Sequence, residues 1–203
     1  MEISDFDPQI VWFDDALEKD FCKKVIKKFN KDDRVTDGVT GGGYNPDVKQ
    51  SLDLQISHLE DWKTEDDVFF QSLNTRLQEY ATYLSEEFGI YCPLDIDTGY
   101  QIQKTKPGGF YHWHHDFLAE TPWHWRTVTY IWYLNTPREG YTEFSCGESI
   151  KPETGKLVLF PATWDRVHRG TPPKTIKYLC TGWMYRSKPP QEEQPPEEQP
   201  PEE

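Results

Sequence analysis

His112-Trp113-His114-His115-Asp116 brings three imidazoles and a carboxylate into five positions, and His168 and Lys177 follow further along the chain. On a β-strand successive side chains alternate faces, so His114 and Asp116, at i and i+2, point the same way. One distant histidine added to that pair gives two imidazoles and one carboxylate. This is the facial set that holds non-heme Fe(II) and leaves coordination positions open. Lys177, nine residues past His168, stands where a cation can hold the carboxylate of a cosubstrate. Together these residues point to oxygen chemistry rather than metal storage.

Two other readings of the same residues stay open at this level. The cluster can be plain packing of imidazoles beside Trp113, Trp123 and Trp125. It can also be a cupin-like set of His112, His114, Glu120 and His168. Against the latter, five residues separate His114 from Glu120 where that pattern expects three or four, and the next glycine is as far away as Gly140.

The surroundings of His168 bear on the choice. Lys156–Ala162 is an apolar strand leading towards it, and residues 168–173 read as the turn of a hairpin. The next strand carries Lys177, Leu179, Thr181 and Trp183 on one face by period-two alternation. In such a hairpin Lys177 faces the same interior as His168. A buried lysine is unfavourable unless an anion meets it. A dicarboxylate that chelates a metal at one end and reaches Lys177 at the other satisfies both groups.

The elements that must position these residues can be read along the chain. Ile10–Phe13 reads as an entry strand. Asp14 or Asp15 then caps a helix, with Glu18 at capping-box spacing from Asp15, and Leu17, Phe21, Val25 and Phe29 form its apolar stripe. Arg34–Tyr44 is turn-rich, and Gly41-Gly42-Gly43 is either a surface connection or a mobile loop over a site. A second helix starts at Thr64, carries Phe69, Leu73, Leu77, Tyr80, Leu84 and Phe88 on one side, and ends at Gly89. Thr98–Lys104, Arg126–Asn135, Tyr141–Phe144, Lys156–Phe160 and Thr175–Arg186 then read as strands. Two helices followed by many short strands predict an α+β domain with helices packed on one sheet.

The 203 residues fit one domain over residues 1–187, followed by a Pro/Glu-rich tail over 188–203 that composition predicts to be disordered. The net charge is −13, of which six Glu and one Lys lie in that tail. An acidic body argues against nucleic acid as partner, since phosphate contacts need Lys and Arg. Cys22, Cys92, Cys146 and Cys180 are scattered without a C-x-x-C pair and read as reduced thiols of a cytoplasmic protein. No run of about 20 apolar residues predicts a membrane span.

The ordered motifs go further than composition. Tyr100-Gln101-Ile102-Gln103, Pro107-Gly108-Gly109 and His114-x-Asp116 are followed by Arg126-x-x-Thr129-x-x-x-Tyr133-Leu134-Asn135 and Thr142-x-Phe144. His168 and Lys177-Tyr178-x-x-Thr181-x-Trp183 complete the series. Over roughly residues 95–186 this succession resembles the Fe(II)/2-oxoglutarate oxygenases of the prolyl 4-hydroxylase type. The resemblance implies a distorted double-stranded β-helix, or jelly-roll, core with the N-terminal helices packed on one sheet. It implies iron on His114, Asp116 and His168, the 5-carboxylate of 2-oxoglutarate on Lys177, hydroxyl support from Tyr133 and Thr181, and Trp183 beside the distal histidine.

Two positions depart from the family pattern. Thr105 stands where a cosubstrate-binding tyrosine is usual, and Tyr141 replaces a glycine before Thr142. The implied cofactors are Fe(II), 2-oxoglutarate and O2, with ascorbate as a possible reductant. The implied reaction is hydroxylation of an unactivated C–H with release of succinate and CO2. Asp116 favours hydroxylation, because related halogenases lack that carboxylate. A prolyl residue in a peptide or protein is the leading substrate, with Trp113, Trp123, Trp125 and Trp132 available to line a groove. A free amino acid, a small metabolite and a nucleic-acid base remain open, as does the oligomeric state.

Overall fold

The computed structural model describes residues 1–121 and 124–187. The expectations for Trp123 and for the 188–203 tail lie outside the described residues. Two short strands, β1 (Glu2–Ile3) and β2 (Val11–Phe13), precede helix α1 (Lys19–Phe29). β3 (Thr36–Asp37) and β4 (Leu52–Gln55) precede helix α2 (Lys63–Phe88). β5 (Ile96–Asp97), β6 (Gln101–Thr105), β7 (Tyr111–His114), β8 (Ala119–Thr121) and β9 (His124–Tyr133) follow. The chain continues through β10 (Thr142–Phe144), β11 (Ser149–Ile150), β12 (Leu157–Pro161), β13 (His168–Gly170) and β14 (Lys177–Arg186).

The strands form a large sheet ordered β1-β2-β12-β9-β14-β6-β4-β3, with β5 and β8 attached to β14 and β9, and a small sheet ordered β11-β10-β13-β7. This is the α+β jelly-roll architecture expected. The large sheet is buried on both faces because β9 alternates its side chains between two cores. Tyr130 and Trp132 point to the helix side, where Phe69, Leu73, Tyr80, Val25 and Phe29 pack. Ile131 and Tyr133 point to the inter-sheet side, with Phe144, Val158, Phe160 and Leu179. Both helices therefore lie on one sheet, leaving the other side of that sheet to face the small sheet.

Helix boundaries differ in detail from the sequence reading. α1 starts at Lys19, and Glu18 takes the N-cap position without a side-chain cap bond. The Asp15 capping box does not form: Asp15 adopts φ 53°, and the chain there bonds across to β12 through Leu17 N–H to Gly155 C=O at 3.1 Å. The α2 terminus is as expected. Gly89 is left-handed at φ 65°, its N–H reaches Ser85 C=O at 3.0 Å, and Ile90 N–H reaches Leu84 C=O at 3.1 Å. The Gly89 bond is that of the αL cap. Phe88 leaves the stripe and is 42% exposed.

The Gly41-Gly42 pair forms the tip of a small hairpin, with Thr40 and Gly43 exchanging N–H to C=O bonds of 2.9 Å. The four cysteines are unpaired. Among the described residues no helix is long and apolar enough to cross a membrane.

One glycine is required by close approach. A Cβ on Gly182, in the middle of β14, would lie 2.3 Å from the Gly99 carbonyl oxygen and 2.4 Å from Tyr130 Oη. Those two atoms are themselves bonded, Tyr130 O–H donating to Gly99 C=O at 2.9 Å. Gly182→Ala is expected to destabilise the protein by about 1–3 kcal/mol, the range for overpacking a filled core. Thermal denaturation checks it: an unchanged Tm contradicts the packing described.

Candidate active site

The small sheet supplies the histidines. β7 and β13 pair antiparallel with His114 opposite His168, which brings the two rings to a centroid separation of 4.2 Å. Asp116 lies two residues beyond the end of β7 rather than on the strand, so strand alternation does not place it. Its position is set from the large sheet. Thr129 Oγ1 donates to Asp116 Oδ2 at 2.9 Å, and an Arg126 guanidinium N–H donates to the Asp116 carbonyl at 3.2 Å.

One ligand atom from each of His114, Asp116 and His168 lies within 4.8 Å of the others. No hydrogen bond links them: His114 Nε2 is 3.8 Å from Asp116 Oδ1, and His168 Nε2 is 3.6 Å from Oδ2. Each imidazole has its other nitrogen committed. His114 Nδ1 donates to the His112 carbonyl at 2.7 Å and His168 Nδ1 to the Arg166 carbonyl at 3.0 Å. A proton on Nδ1 leaves the Nε2 lone pair free, which is the tautomer a metal ligand needs. Nε2 of both imidazoles and the Asp116 carboxylate thus converge on one point, a donor set that fits a divalent first-row metal.

Burial, followed by the neighbouring His168, pulls His114 down to about 4, so it is neutral at physiological pH. Burial pushes Asp116 up, yet His168, His114, Trp183 and Thr129 outweigh it and keep the carboxylate ionised below the usual range. Tyr111 stacks on the His114 ring at 3.5 Å, and Phe160 meets the His168 ring edge-on at 4.9 Å. Packing therefore fixes both rings.

Thr129→Val removes the hydroxyl that orients Asp116 while keeping the side-chain shape. We expect iron affinity to fall about 10–100-fold, the usual effect of losing an outer-shell partner. Metal titration checks this, and unchanged affinity would leave Thr129 a packing residue.

These donors open onto a cavity of about 630 Å³, counted to its open mouth. Lys177, Leu179, Thr181 and Trp183 line it together, as alternation predicts. The hairpin does not form, however. β13 belongs to the small sheet and β14 to the large one, so His168 and Lys177 face each other across the cavity.

Lys177 is 3% exposed, and its ammonium donates to the Gly140 carbonyl at 2.9 Å. No carboxylate lies within 4.0 Å of it among the described residues, and burial pulls it down to about 8. A buried cation with one neutral partner is a receptor for an anion.

The hydroxyl residues divide. Thr105 lines the cavity, and so does Thr181, whose proton is used on the Tyr130 carbonyl at 2.8 Å. Thr181 thus offers a lone pair and a methyl group, not a donor. Tyr133 is fully buried and acts at one remove, its O–H donating to Thr142 Oγ1 at 2.7 Å. Thr142 itself lines the cavity.

Other expectations need correction. The cupin-like set is not assembled, because Glu120 is exposed and pairs with His124 at 3.3 Å. His112 is exposed and its ring packs on Phe110 at 4.6 Å. Trp132 is wholly buried against Phe69 and lines no groove. Trp113 is 45% exposed beneath Arg169, and Trp125 lies under Arg186.

Tyr111 and Lys49 are cavity residues that sequence reading missed. A register shift between His168 and Gly170 opposite β7 puts Tyr111 beside His114, so period-two counting assigns it to the wrong face. Lys49 forms a buried ion pair with Asp53 at 2.7 Å. The spacing of that pair, i and i+4, was its only sequence signal.

Comparison with known proteins bears on the fold. Residues 100–185 match the sequence profile of the 2OG-Fe(II) oxygenase superfamily. Prolyl 4-hydroxylase 1 of Arabidopsis thaliana is 24% identical over 183 residues, which cover 78% of this chain and 59% of that relative. The chain thus spans less than two thirds of that protein.

Two solved structures share the fold. One is the viral collagen prolyl hydroxylase of Paramecium bursaria Chlorella virus-1 in its 2-oxoglutarate complex. It has a TM-score of 0.64 at 21% identity over 88% of this chain and 96% of that one. The other is a Trichoplax adhaerens prolyl hydroxylase in complex with a peptide of the hypoxia inducible factor oxygen degradation domain. It has a TM-score of 0.69 at 15% identity over 88% and 84% of the two chains.

Proposed function

We propose that this chain, whose residues 100–185 match the profile of the 2OG-Fe(II) oxygenase superfamily, is an Fe(II)- and 2-oxoglutarate-dependent dioxygenase of the prolyl 4-hydroxylase type. Its substrate is a prolyl residue in a peptide or protein. The observation that carries the reading is the pairing of two features in one cavity: the two-histidine, one-carboxylate donor set on one side and the buried Lys177 on the other.

His114 Nε2, the Asp116 carboxylate and His168 Nε2 hold the iron. When bound, the iron with 2-oxoglutarate and O2 supplies a two-electron oxidation of a C–H to C–OH, releasing succinate and CO2. Lys177 neutralises the 5-carboxylate of 2-oxoglutarate, and its displacement from Gly140 is the rearrangement this needs. Tyr133 orients Thr142 towards the cosubstrate, and Thr181 supports it through its lone pair and methyl group. Thr105, shorter than the tyrosine usual at its position, leaves room beside the same carboxylate. Leu179 and Ile131 give the cavity an apolar wall that keeps water from the reacting centre. No side chain acts as a general base.

The peptide preference is supported by the names of the relatives and by an open cavity mouth. The acidic composition of the chain argues against a nucleic-acid base. We place the whole activity in one domain over residues 1–187, in the cytoplasm.

The test is a screen of prolyl peptides, free amino acids and oligonucleotides, read by a mass gain of about 16 Da that requires Fe(II) and 2-oxoglutarate together. Gain on a free amino acid or a nucleobase but on no prolyl peptide overturns the substrate assignment and leaves the iron chemistry standing.

A further inference from the structure

A second concavity, about 870 Å³ counted to its open mouth, lies at the Arg186 end of β14, away from Lys177. Its apolar wall includes Tyr91, Pro93, Phe117, Trp125 and Pro161. Tyr91 is 80% exposed and Phe117 38%. Among the described residues lining this groove the charged side chains are Arg126 and Arg186, and there is no carboxylate. The chain as a whole carries a net charge of −13, so a groove whose charge is wholly positive runs against its surface. Exposed aromatic rings beside such cations suit recognition better than solvation.

Pairing of β9 with β14 sets the two arginines. Arg186 lies opposite Trp125, and Arg126 opposite Tyr185. The Arg186 guanidinium sits over the Trp125 ring at 4.9 Å, and that of Arg126 over Trp183 at 3.6 Å. Arg126 spends two donors, Nε on Tyr185 Oη at 3.2 Å and Nη1 on the Asp116 carbonyl at 3.2 Å. Arg186 makes no hydrogen bond among the described residues, and neither guanidinium has a carboxylate within 4.0 Å there. Stacking on a ring uses the flat face of a guanidinium and holds its plane. The N–H groups along its edge stay free, in the geometry that a carboxylate meets with two parallel hydrogen bonds.

The groove begins where the catalytic cavity ends. Arg126 bonds the main chain of Asp116 and covers Trp183, which lines the catalytic cavity, and Phe117 follows Asp116 in the chain. Arg186 lies three strand residues beyond Trp183, about 10 Å at the usual rise. An extended proline-rich peptide spans that distance in about three residues, at roughly 3.1 Å each.

We propose that this groove holds an acidic residue of the peptide substrate, Asp or Glu, about three positions from the prolyl residue that is hydroxylated. Its carboxylate meets the edge of Arg186, and an apolar neighbour lies on Tyr91 and Phe117. The proposal rests on the prolyl-peptide reading of the site and adds to it a requirement beyond the proline.

The test uses the protein loaded with Fe(II) and 2-oxoglutarate, and prolyl peptides that differ only in Glu against Gln at roughly two to four positions on either side of the proline. Hydroxylation kinetics and the anisotropy of the labelled peptides are both read. At one position Glu should lower KM and Kd about tenfold relative to Gln with kcat alike, the scale of one charge-assisted hydrogen bond. Added salt should narrow the gap, because the groove is open to water. Arg186→Gln should close it, and Arg186→Glu should instead favour Lys at that position, a gain that misfolding cannot produce.

Equal KM for Glu and Gln at every position, or a gap that persists in Arg186→Gln, overturns the proposal and leaves the function standing. Arg186-dependent binding of the Glu peptides without hydroxylation of any proline overturns the prolyl reading and leaves the acidic subsite. Neither binding preference nor hydroxylation overturns both.

Discussion

Replacing His168 with alanine is expected to abolish iron-dependent turnover, a larger loss than the roughly 10–100-fold that follows removal of an outer-shell partner. His168 is one of three donors, and its Nε2 lone pair is exposed to the metal point because Nδ1 is tied to the Arg166 carbonyl at 3.0 Å. With alanine there, two donors remain on a site that packing by Phe160 and Phe144 cannot rearrange. Asp116→Ala should do the same, removing the buried anion that balances the metal charge. The contrast lies in the same short stretch of chain. His112 and His115 are exposed, and His112 serves through its main-chain carbonyl, so alanine at either position should leave iron binding close to wild type. Metal content and succinate release, measured on all four variants, check the pattern. Loss in His112→Ala with none in Asp116→Ala would contradict it.

Lys177→Met is expected to weaken 2-oxoglutarate binding about 30-fold to a few thousand-fold. That range corresponds to the 2–5 kcal/mol typical of truncating one member of a buried charge pair. The fold should survive, because the substitution removes a buried ammonium whose one hydrogen bond is to Gly140. Iron binding should be unaffected, since Lys177 lies across the cavity from the ligands.

The same burial gives a pH dependence. In the free protein Lys177 is pulled from the usual 10.5 down to about 8. Below that value it is already an ammonium and meets the carboxylate directly. Above it the site must take up a proton to bind, so apparent 2-oxoglutarate affinity falls as pH rises through about 8, approaching tenfold per unit. Folding responds in the opposite sense. Between about 8 and 10.5 the unfolded chain holds a proton that the folded chain sheds, so stability of the free protein gains as pH rises there. Titration of 2-oxoglutarate against pH for wild type and Lys177→Met checks both points: the variant should lose the pH dependence along with the affinity.

The meeting of His114, Asp116, His168 and Lys177 in one cavity was legible in the sequence because it is carried by residue type and order. His114, Asp116, His168 and Lys177 stand in an order that packing alone does not require. The alternation of Lys177, Leu179, Thr181 and Trp183 was legible because β14 is a regular strand. What failed depended on irregular backbone or on long-range partners. The register shift in β7 moves Tyr111 to the side of His114, which no period reveals. The capping box at Asp15 loses to the bond between Leu17 and Gly155, 138 positions along the chain. The supposed hairpin after His168 fails because β13 and β14 enter different sheets.

The most direct measurement of the central claim is the yield of succinate against hydroxylated proline in one reaction mixture, with and without an iron chelator. The account predicts equal amounts of the two products, both lost when iron is removed and both lost in Asp116→Ala. Hydroxylation that persists without iron or without 2-oxoglutarate, or an iron-loaded protein that forms no succinate with any prolyl peptide, would contradict it.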